Sequence, residues 1–388
     1  MLTVLALPVL LLCTYLGVFT LLSARLARPA PSPKHHRFRF IVPAHNEELG
    51  IAATVASLLA VDYPREFFEI YVVADNCSDE TAARAREAGA TVLERHNQDE
   101  RGKGYALHYA FELVPESVDA IVVIDADTLV SANILHAFSA RLATGANALQ
   151  ADYAVRNAQD AWRTRLMAIA LGSFHIVRSR ARERLKLSCG LRGNGMCFRT
   201  SLLGRVPHQA YSIVEDVEYG IRLARAGERV VYVDEAHVYG EMVSSARAAN
   251  SQRQRWESGR AGLRKTYAAP LLRAAVANRD RVQWDLLFDI LVPPLSQITA
   301  AAAAGLTLSL IGLAVDRGFM QSLLPWLCCW CLISAYVFRG WSVSGTGTGG
   351  LLALTGAPFY ILWKMSLRLR QRKESEWVRT TREGAPKA

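Results

Sequence analysis

The sequence predicts an α/β domain on a mostly parallel sheet, framed by N-terminal and C-terminal transmembrane or interfacial helices. Three observations predict it. Short apolar runs alternate with helix-spaced stretches from Phe38 to Ile124. The runs are apolar at nearly every position, as strands covered on both faces are. The longest uncharged stretches lie toward the two ends of the chain.

Taken in order, Met1 to Ala24 carries no charged residue and has about the ~20 residues that cross a bilayer. No basic residue precedes this run, whereas Arg25, Arg28, Lys34, Arg37 and Arg39 come after it. A cleaved signal peptide has its positive charge first and a shorter apolar core. Residues 1–26 are therefore predicted to be an uncleaved anchor, with the basic flank and the domain beyond it in the cytoplasm. Phe38 to Val42 reads as a strand, Leu49 to Leu59 as a helix, Ile70 to Val73 as a strand and Glu80 to Ala88 as a helix ending at Gly89. Thr91 to Leu93 is a third strand, Tyr105 to Leu113 a helix, and Ala120 to Ile124 a strand running straight into Asp125. In sheets of this kind ligands bind at the carboxyl ends of the strands, so one rim should collect the residues after Val42, Val73 and Ile124.

Residues 36–270 form the expected catalytic domain, 36–149 its nucleotide half and 150–270 its acceptor half. The longest helical stretch of the second half, Trp162 to Leu185, sets Leu166, Ile169, Phe174 and Val177 among Arg163, Arg165, Arg178, Arg180, Arg182 and Arg184. Two readings remain open for it: a solvated surface helix, or a helix on the membrane interface with arginines among headgroups. Residues 282–370 supply further membrane segments. Gln283 to Val315, interrupted by Asp285, Asp289 and Pro293-Pro294, begins as an amphipathic interfacial helix and continues as a crossing helix. Phe319 to Phe338 is a second crossing. Leu351 to Trp363 is short and contains Pro358, and is read as interfacial. The basic tail after it, 371–388 with the approach from Lys364, is expected in the cytoplasm.

At 388 residues the chain holds one catalytic domain and its membrane segments. The formal charge of +10 is concentrated beside the apolar segments, between Arg156 and Lys186, and around Arg253 to Lys265. Nucleotide phosphates and anionic headgroups account for that distribution. No nucleic-acid-binding pattern appears, so nucleic acid is not an expected partner. The seven cysteines are scattered without metal-ligand spacing, as reduced thiols would be.

Seven short signals fall in one order: Pro43-Ala44-His45-Asn46-Glu47, Asp75-Asn76-Cys77-Ser78-Asp79, Arg101-Gly102-Lys103-Gly104, Asp125-Ala126-Asp127, Gly193-Asn194-Gly195, Glu215-Asp216 and Gln252-Arg253-Gln254-Arg255-Trp256. Asp125 and Asp127 offer hard oxygen ligands past a strand end, suited to Mg²⁺ or Mn²⁺. Arg101 and Lys103, separated by Gly102, offer cations close to backbone, either for nucleotide or phosphate contact or as solvated surface charge. Glu215-Asp216 opens a helical stretch; it serves either the helix dipole or, through Asp216, general-base chemistry. Gln252, Arg255 and Trp256 share one helical face, where a guanidinium suits a diphosphate and an indole suits a sugar ring. Gly193-Asn194-Gly195 either lets backbone approach an acceptor or forms a tight turn.

In this order, flanked by membrane segments, the signals resemble the membrane-bound glycosyltransferases of family 2, relatives of cellulose, chitin and hyaluronan synthases. The resemblance runs from about Phe38 to Trp256. It implies a Rossmann-like glycosyltransferase A fold and an inverting, metal-dependent transfer from a UDP-sugar. It places Pro43, His45, Asn46 and Glu47 at the base and ribose, and Asp75 at the uracil. There a carboxylate would accept the ring imide proton and so refuse cytosine. Relatives carry a second aspartate where this chain has Ala74. The resemblance also supports Asp216 as the base and Glu215 as its structural neighbour. Asp125 would face the donor as well as the metal.

The expected protein is a multi-pass glycosyltransferase of the cell (inner) membrane with a cytoplasmic catalytic domain. Its acceptor would be lipid-linked or a growing glycan in envelope or extracellular polysaccharide synthesis, with membrane lipids and other glycan-assembly proteins as partners. The alternatives are a processive synthase that extrudes its product, a sugar-nucleotide pyrophosphorylase, and a non-catalytic membrane scaffold. The pyrophosphorylase would need a glycine-rich basic loop near its start; Ile41 to Gly50 has one glycine and no basic residue. The scaffold would be expected to lack Asp127, Asp216 or Arg255, all of which are present.

Overall fold

The structure, a computed structural model, describes residues 2–242 and 246–362, with backbone alone over 246–257. In chain order the elements are α1 (Leu2–Leu21), β1 (Phe38–Ala44), α2 (Ile51–Leu59), β2 (Phe68–Asp75), α3 (Thr81–Glu87), β3 (Thr91–Arg95), α4 (Lys103–Glu112), β4 (Ala120–Val123), β5 (Thr128–Val130), α5 (Ile134–Ala143) and β6 (Ala148–Val155). Next come α6 (Trp162–Leu171), a π-helical stretch Gly172–Val177, α7 (Arg178–Arg184), β7 (Met196–Arg199), α8 (Thr200–Arg205), α9 (Glu215–Arg225), β8 (Val230–Gly240), α10 (Ala246–Asn278), α11 (Arg281–Leu291), α12 (Leu295–Val315), α13 (Met320–Val343) and α14 (Gly347–Leu354). The chain divides into two compact units. One comprises Arg25–Asn157 and Arg182–Ile290; the other comprises the described residues of Met1–Ala24, Ala158–Ala181 and Leu291–Arg379.

The first unit is built on one eight-stranded sheet in the order β3-β2-β1-β4-β7-β6-β8-β5. The expected parallel pairing holds for β3, β2, β1 and β4. Beyond β4 the sheet is mixed: β7 runs against both β4 and β6, and β5 runs against β8, whereas β6 and β8 are parallel. Alternation along the strands divides the core. Phe38, Phe40, Val42, Ala120 and Val122 face one layer with Ile51, Val55 and Leu58 of α2. Ile41, Ile121 and Val123 face the other, with Ala106 and Leu107 of α4 and Tyr219 and Leu223 of α9. Each such large side chain contributes roughly 1.5–3 kcal/mol on full burial, so neither face can slip in register without exposing its whole set.

Helix α11 is amphipathic, as its sequence suggests, and part of its apolar side packs within the domain while Phe288 and Leu291 stay exposed. Leu286, Leu287 and Ile290 bury against Ile221 and Ala224 of α9 and Leu271 of α10. On its polar side Asp285 and Asp289 take the Arg182 guanidinium at 2.7 and 2.9 Å, and Asp289 also accepts from Arg260 at 3.3 Å. Arg182 is 1% exposed. The arginine-rich stretch thus answers differently residue by residue. Arg182 is a buried ion-pair partner; Arg163 is exposed and lies over the exposed Trp162 ring.

Among the described residues of the second unit three helices are long and apolar enough to cross a membrane: Leu2–Leu21, Leu295–Val315 and Arg317–Val343. Their packing relies on small residues, as membrane helix contacts do. A Cβ on Gly17 would lie 2.6 Å from Leu332, and one on Gly305 would lie 2.3 Å from the Trp326 ring. Arg339 of α13 donates to the Ser23 hydroxyl and carbonyl just past α1, at 2.7 and 2.8 Å. The chain enters α13 from α12 through the short Arg317–Phe319 turn. Helices α1 and α13 therefore run in the same direction and α12 in the opposite one. Within this unit Arg178 is buried and donates to the Tyr336 hydroxyl at 3.1 Å.

Candidate active site

The carboxyl ends of β1, β2 and β4 meet on one rim, because Phe38 of β1 pairs with Phe68 and Ala120 at the opposite end. After β1 the chain turns through Asn46 at φ 55°, whose Oδ1 accepts the Ser78 amide at 2.7 Å. Glu47 donates its amide to Thr81 Oγ1 at 2.7 Å and Glu48 to Asp79 at 3.2 Å. The first loop is thus laced to the loop after β2. His45 bonds through Nδ1 to the Asp75 carbonyl at 2.7 Å. A carbonyl only accepts, so Nδ1 carries the proton of this bond. Asp79 Oδ1 accepts the Thr81 amide at 3.0 Å, just ahead of the Glu80 N-cap of α3. Pro43 lies within β1, one residue before Ala44 ends it.

Asp75 is 5% exposed and holds an ion pair with Arg95 Nη1 at 2.8 Å. Asn76, at φ 51°, donates to the same Asp75 oxygen at 3.2 Å. Arg95 in turn reaches Glu100 Oε2 at 2.8 Å. Local sequence gives Arg95 no assigned place in the site. Its one signal is a cation ending an otherwise strand-like run, and only the pairing of β2 with β3 sets it beside Asp75.

Asp125 and Asp127 flank the turn between β4 and β5, both half-buried. The turn is fixed from below by Asn194, which is fully buried: its Oδ1 accepts the Asp125 amide at 3.1 Å and its Nδ2 donates to Thr128 Oγ1 at 2.8 Å. Gln150 holds Asn194 in place, donating to its carbonyl at 2.7 Å, and accepts the Arg192 amide at 2.9 Å. The flanking glycines sit at φ 77° and 69°, a region that favours glycine. Gly193-Asn194-Gly195 is therefore a turn whose middle side chain supports the aspartates.

Lys103 joins the two halves. Gly102, at φ 121°, starts α4, and a Cβ on Gly104 would meet the Ala210 carbonyl at 2.1 Å. Between them the Lys103 ammonium donates to Asp125 Oδ1 and to the Gly193 carbonyl, and lies 3.9 Å from Glu215. Arg101 is exposed and donates to the Gln98 carbonyl at 2.9 Å; no described bond joins it to Asp125.

Glu215 and Asp216 form the first turn of α9. Burial pushes the Glu215 carboxyl up to about 8, Asp216 beside it pushes the same way, and Lys103 opposes both. Burial also raises Asp216, against the Val217 amide and the cations Lys103 and Arg192. A carboxylate raised in this way is a better proton acceptor near neutral pH than an ordinary one. A Cβ on Gly193 would lie 3.5 Å from both Asp216 Oδ2 and the Lys103 ammonium, so these groups meet over a position with no side chain. Gln252, Arg255 and Trp256 fall in the first half of α10, and their side chains lie outside the described residues. The same holds for the basic tail from Lys364.

The donor set suits a hard divalent cation: oxygen ligands, part-exposed, with the Lys103 ammonium already seated on one of them. Among the described residues no three His, Cys, Asp or Glu side chains group to hold a metal. An ion at Asp125 and Asp127 would complete its shell with oxygens from elsewhere.

Residues 35–259 match the family model described as glycosyltransferase like family 2. The β-monoglucosyldiacylglycerol synthase of Trichormus variabilis is 28% identical over 292 residues, covering 72% of this chain and 61% of that one. The probable glycosyltransferase YdaM of Bacillus subtilis is 24% identical over 257 residues, 64% of this chain and 60% of that one. The chain thus spans about three fifths of the length of these relatives. Among solved structures, the mannosyltransferase PcManGT of Pyrobaculum calidifontis, in complex with GDP-Man and Mn²⁺, superposes with a TM-score of 0.55 at 17% identity, covering 88% of this chain and 97% of that one. That likeness shows the fold, a mixed sheet of the glycosyltransferase A type.

Proposed function

The chain belongs to glycosyltransferase-like family 2, and from that premise we propose that it transfers a sugar from a UDP-sugar to a membrane lipid or lipid-linked glycan, inverting the anomeric carbon. One observation carries this reading: Asp125, Lys103, Gly193, Glu215 and Asp216, from both halves of the sheet, converge at one point on the rim. The acceptor hydroxyl would lose its proton to Asp216 as its oxygen bonds the anomeric carbon. The bond from that carbon to the diphosphate oxygen breaks, and UDP leaves. A bound Mg²⁺ or Mn²⁺ supplies charge neutralisation at the diphosphate; Asp125 and Asp127 are the residues that would hold it. Lys103, seated on Asp125, is proposed to bind the same phosphates. Arg255 and Trp256 are proposed for the diphosphate and the acceptor sugar on their spacing in α10.

The donor base is argued from Asp75, whose carboxylate suits a ring imide proton. A lipid acceptor is supported by the product that the Trichormus relative's name gives, a glucosyldiacylglycerol. The three candidate spans support a multi-pass protein. Because α1 and α13 run in parallel, the chain would leave both on one side, and the basic run Arg25 to Arg39 favours the cytoplasm. Purified protein in nanodiscs, given a panel of UDP-sugars and lipid acceptors, should release UDP only with metal and acceptor present. Turnover with GDP-sugars but not UDP-sugars would overturn the donor assignment.

A further inference from the structure

We propose that the Lys103 ammonium is a tethered cation that closes Asp125 to divalent ions until a nucleotide diphosphate draws it away, so that metal and nucleotide load together. The inference rests on the proposed metal assignment and goes beyond it. Lys103 donates at once to Asp125 Oδ1 and to the Gly193 carbonyl, and stands 3.9 Å from Glu215. It therefore occupies the side of Asp125 that faces the acceptor acids. Its backbone is fixed by the Gly102 start and by Gly104 lodged under Ala210, so any movement belongs to the four-carbon stem. The Lys103 side chain is 24% exposed and that of Asp125 31%, which leaves both open to an arriving ligand.

Two further observations point the same way. Asp125, Glu215 and Asp216 surround Lys103, so the ammonium is the cation that this acidic cluster already holds. The described residues offer no group of three acidic, His or Cys ligands. A divalent ion on two carboxylates, one of them already paired with an ammonium, is held weakly. A diphosphate changes both conditions. It brings oxygen ligands for the ion and a stronger partner for the ammonium than one carboxylate.

The test is Mn²⁺ binding to the full chain in non-ionic detergent, read from the electron paramagnetic resonance signal of free Mn²⁺, with and without UDP. Wild-type protein should bind Mn²⁺ alone weakly and gain strongly with UDP. Lys103→Met and Lys103→Gln should bind Mn²⁺ alone roughly tenfold tighter or more, because a contacting positive charge has gone, and should gain less from UDP. Lys103→Arg, which keeps the charge, should behave like wild type. Adding Asp127→Ala to Lys103→Gln should abolish the tighter binding. If UDP promotes Mn²⁺ binding in wild type but the neutral variants bind Mn²⁺ alone no better, the tethered-cation role is overturned and the metal assignment stands. Should UDP bring no Mn²⁺ to wild type, the metal assignment itself fails, and this inference with it.

Discussion

The proposed base, Asp216, owes its character to what surrounds it. Burial raises it and the adjoining Glu215, while Lys103, Arg192 and the Val217 amide keep the pair from losing its charge altogether. Asp216→Asn should leave UDP binding nearly intact and lower transfer by roughly 10²-fold or more, measured as acceptor-dependent UDP release. A base must be unprotonated, so wild-type kcat/KM should fall as pH drops through a value raised above the ordinary carboxylate range. A profile flat down to the usual range for Asp would remove the pair from proton transfer. A second residue titrates for stability. His208 is 3% exposed among Phe111 and Tyr219, and burial lowers it to about 4. Its unfolded value is about 6.5, so the unfolded chain binds the extra proton between those limits. The stabilisation is complete above pH ~6.5 and is lost as pH falls toward 4, on the order of 3 kcal/mol in all. Thermal unfolding measured against pH should show this loss, and His208→Phe, which keeps the ring packing, should flatten it.

At the scale of elements, α7 and α11 are joined by charge inside a dry contact. Arg182 is bonded to Asp285 and Asp289 and is 1% exposed. Removing one partner of such a group strands the others without solvent, at a cost of about 3–5 kcal/mol. Arg182→Met should lower the unfolding temperature accordingly. Adding Asp285→Asn should recover part of the loss, since the stranded charge is then reduced. An Arg182→Met protein as stable as wild type would show that water reaches these carboxylates. Helix α4 shows the opposite device, with no charge involved. Gly102 and Gly104 are chosen by backbone angle and by the Ala210 carbonyl, and their effect is to aim Lys103.

For the whole molecule, the shared direction of α1 and α13 predicts topology. A reporter enzyme active only outside the cell should be inactive when fused after Arg39 and active when inserted at Gly318, between α12 and α13. Activity after Arg39 would place the proposed donor site on the wrong side of the membrane. Metal dependence also belongs to the assembled protein. Chelator should abolish transfer, Mg²⁺ or Mn²⁺ should restore it, and Asp127→Ala should resist rescue at any metal concentration tested. Full turnover in excess chelator would dismiss Asp125 and Asp127 as ligands.

The sequence by itself determined the family, the strand and helix alternation of the first half, and the apolar helices. Each of these is written in local order: runs of one character, periods of two and 3.6, and short motifs at strand ends. Asp125, Glu215 and Asp216 were legible as candidates for the same reason. Arg95 and Asn194 were not, because each acts on a partner distant in the chain, through strand pairing for one and through the Gly193-to-Gly195 turn for the other. The antiparallel strands β5 and β7 were likewise hidden in short runs that carry no sign of direction. What surrounds Glu215-Asp216, and whether Lys103 meets solvent or a carboxylate, was decided only by tertiary structure. Burial and nearby charge both depend on which distant segments the fold brings into contact.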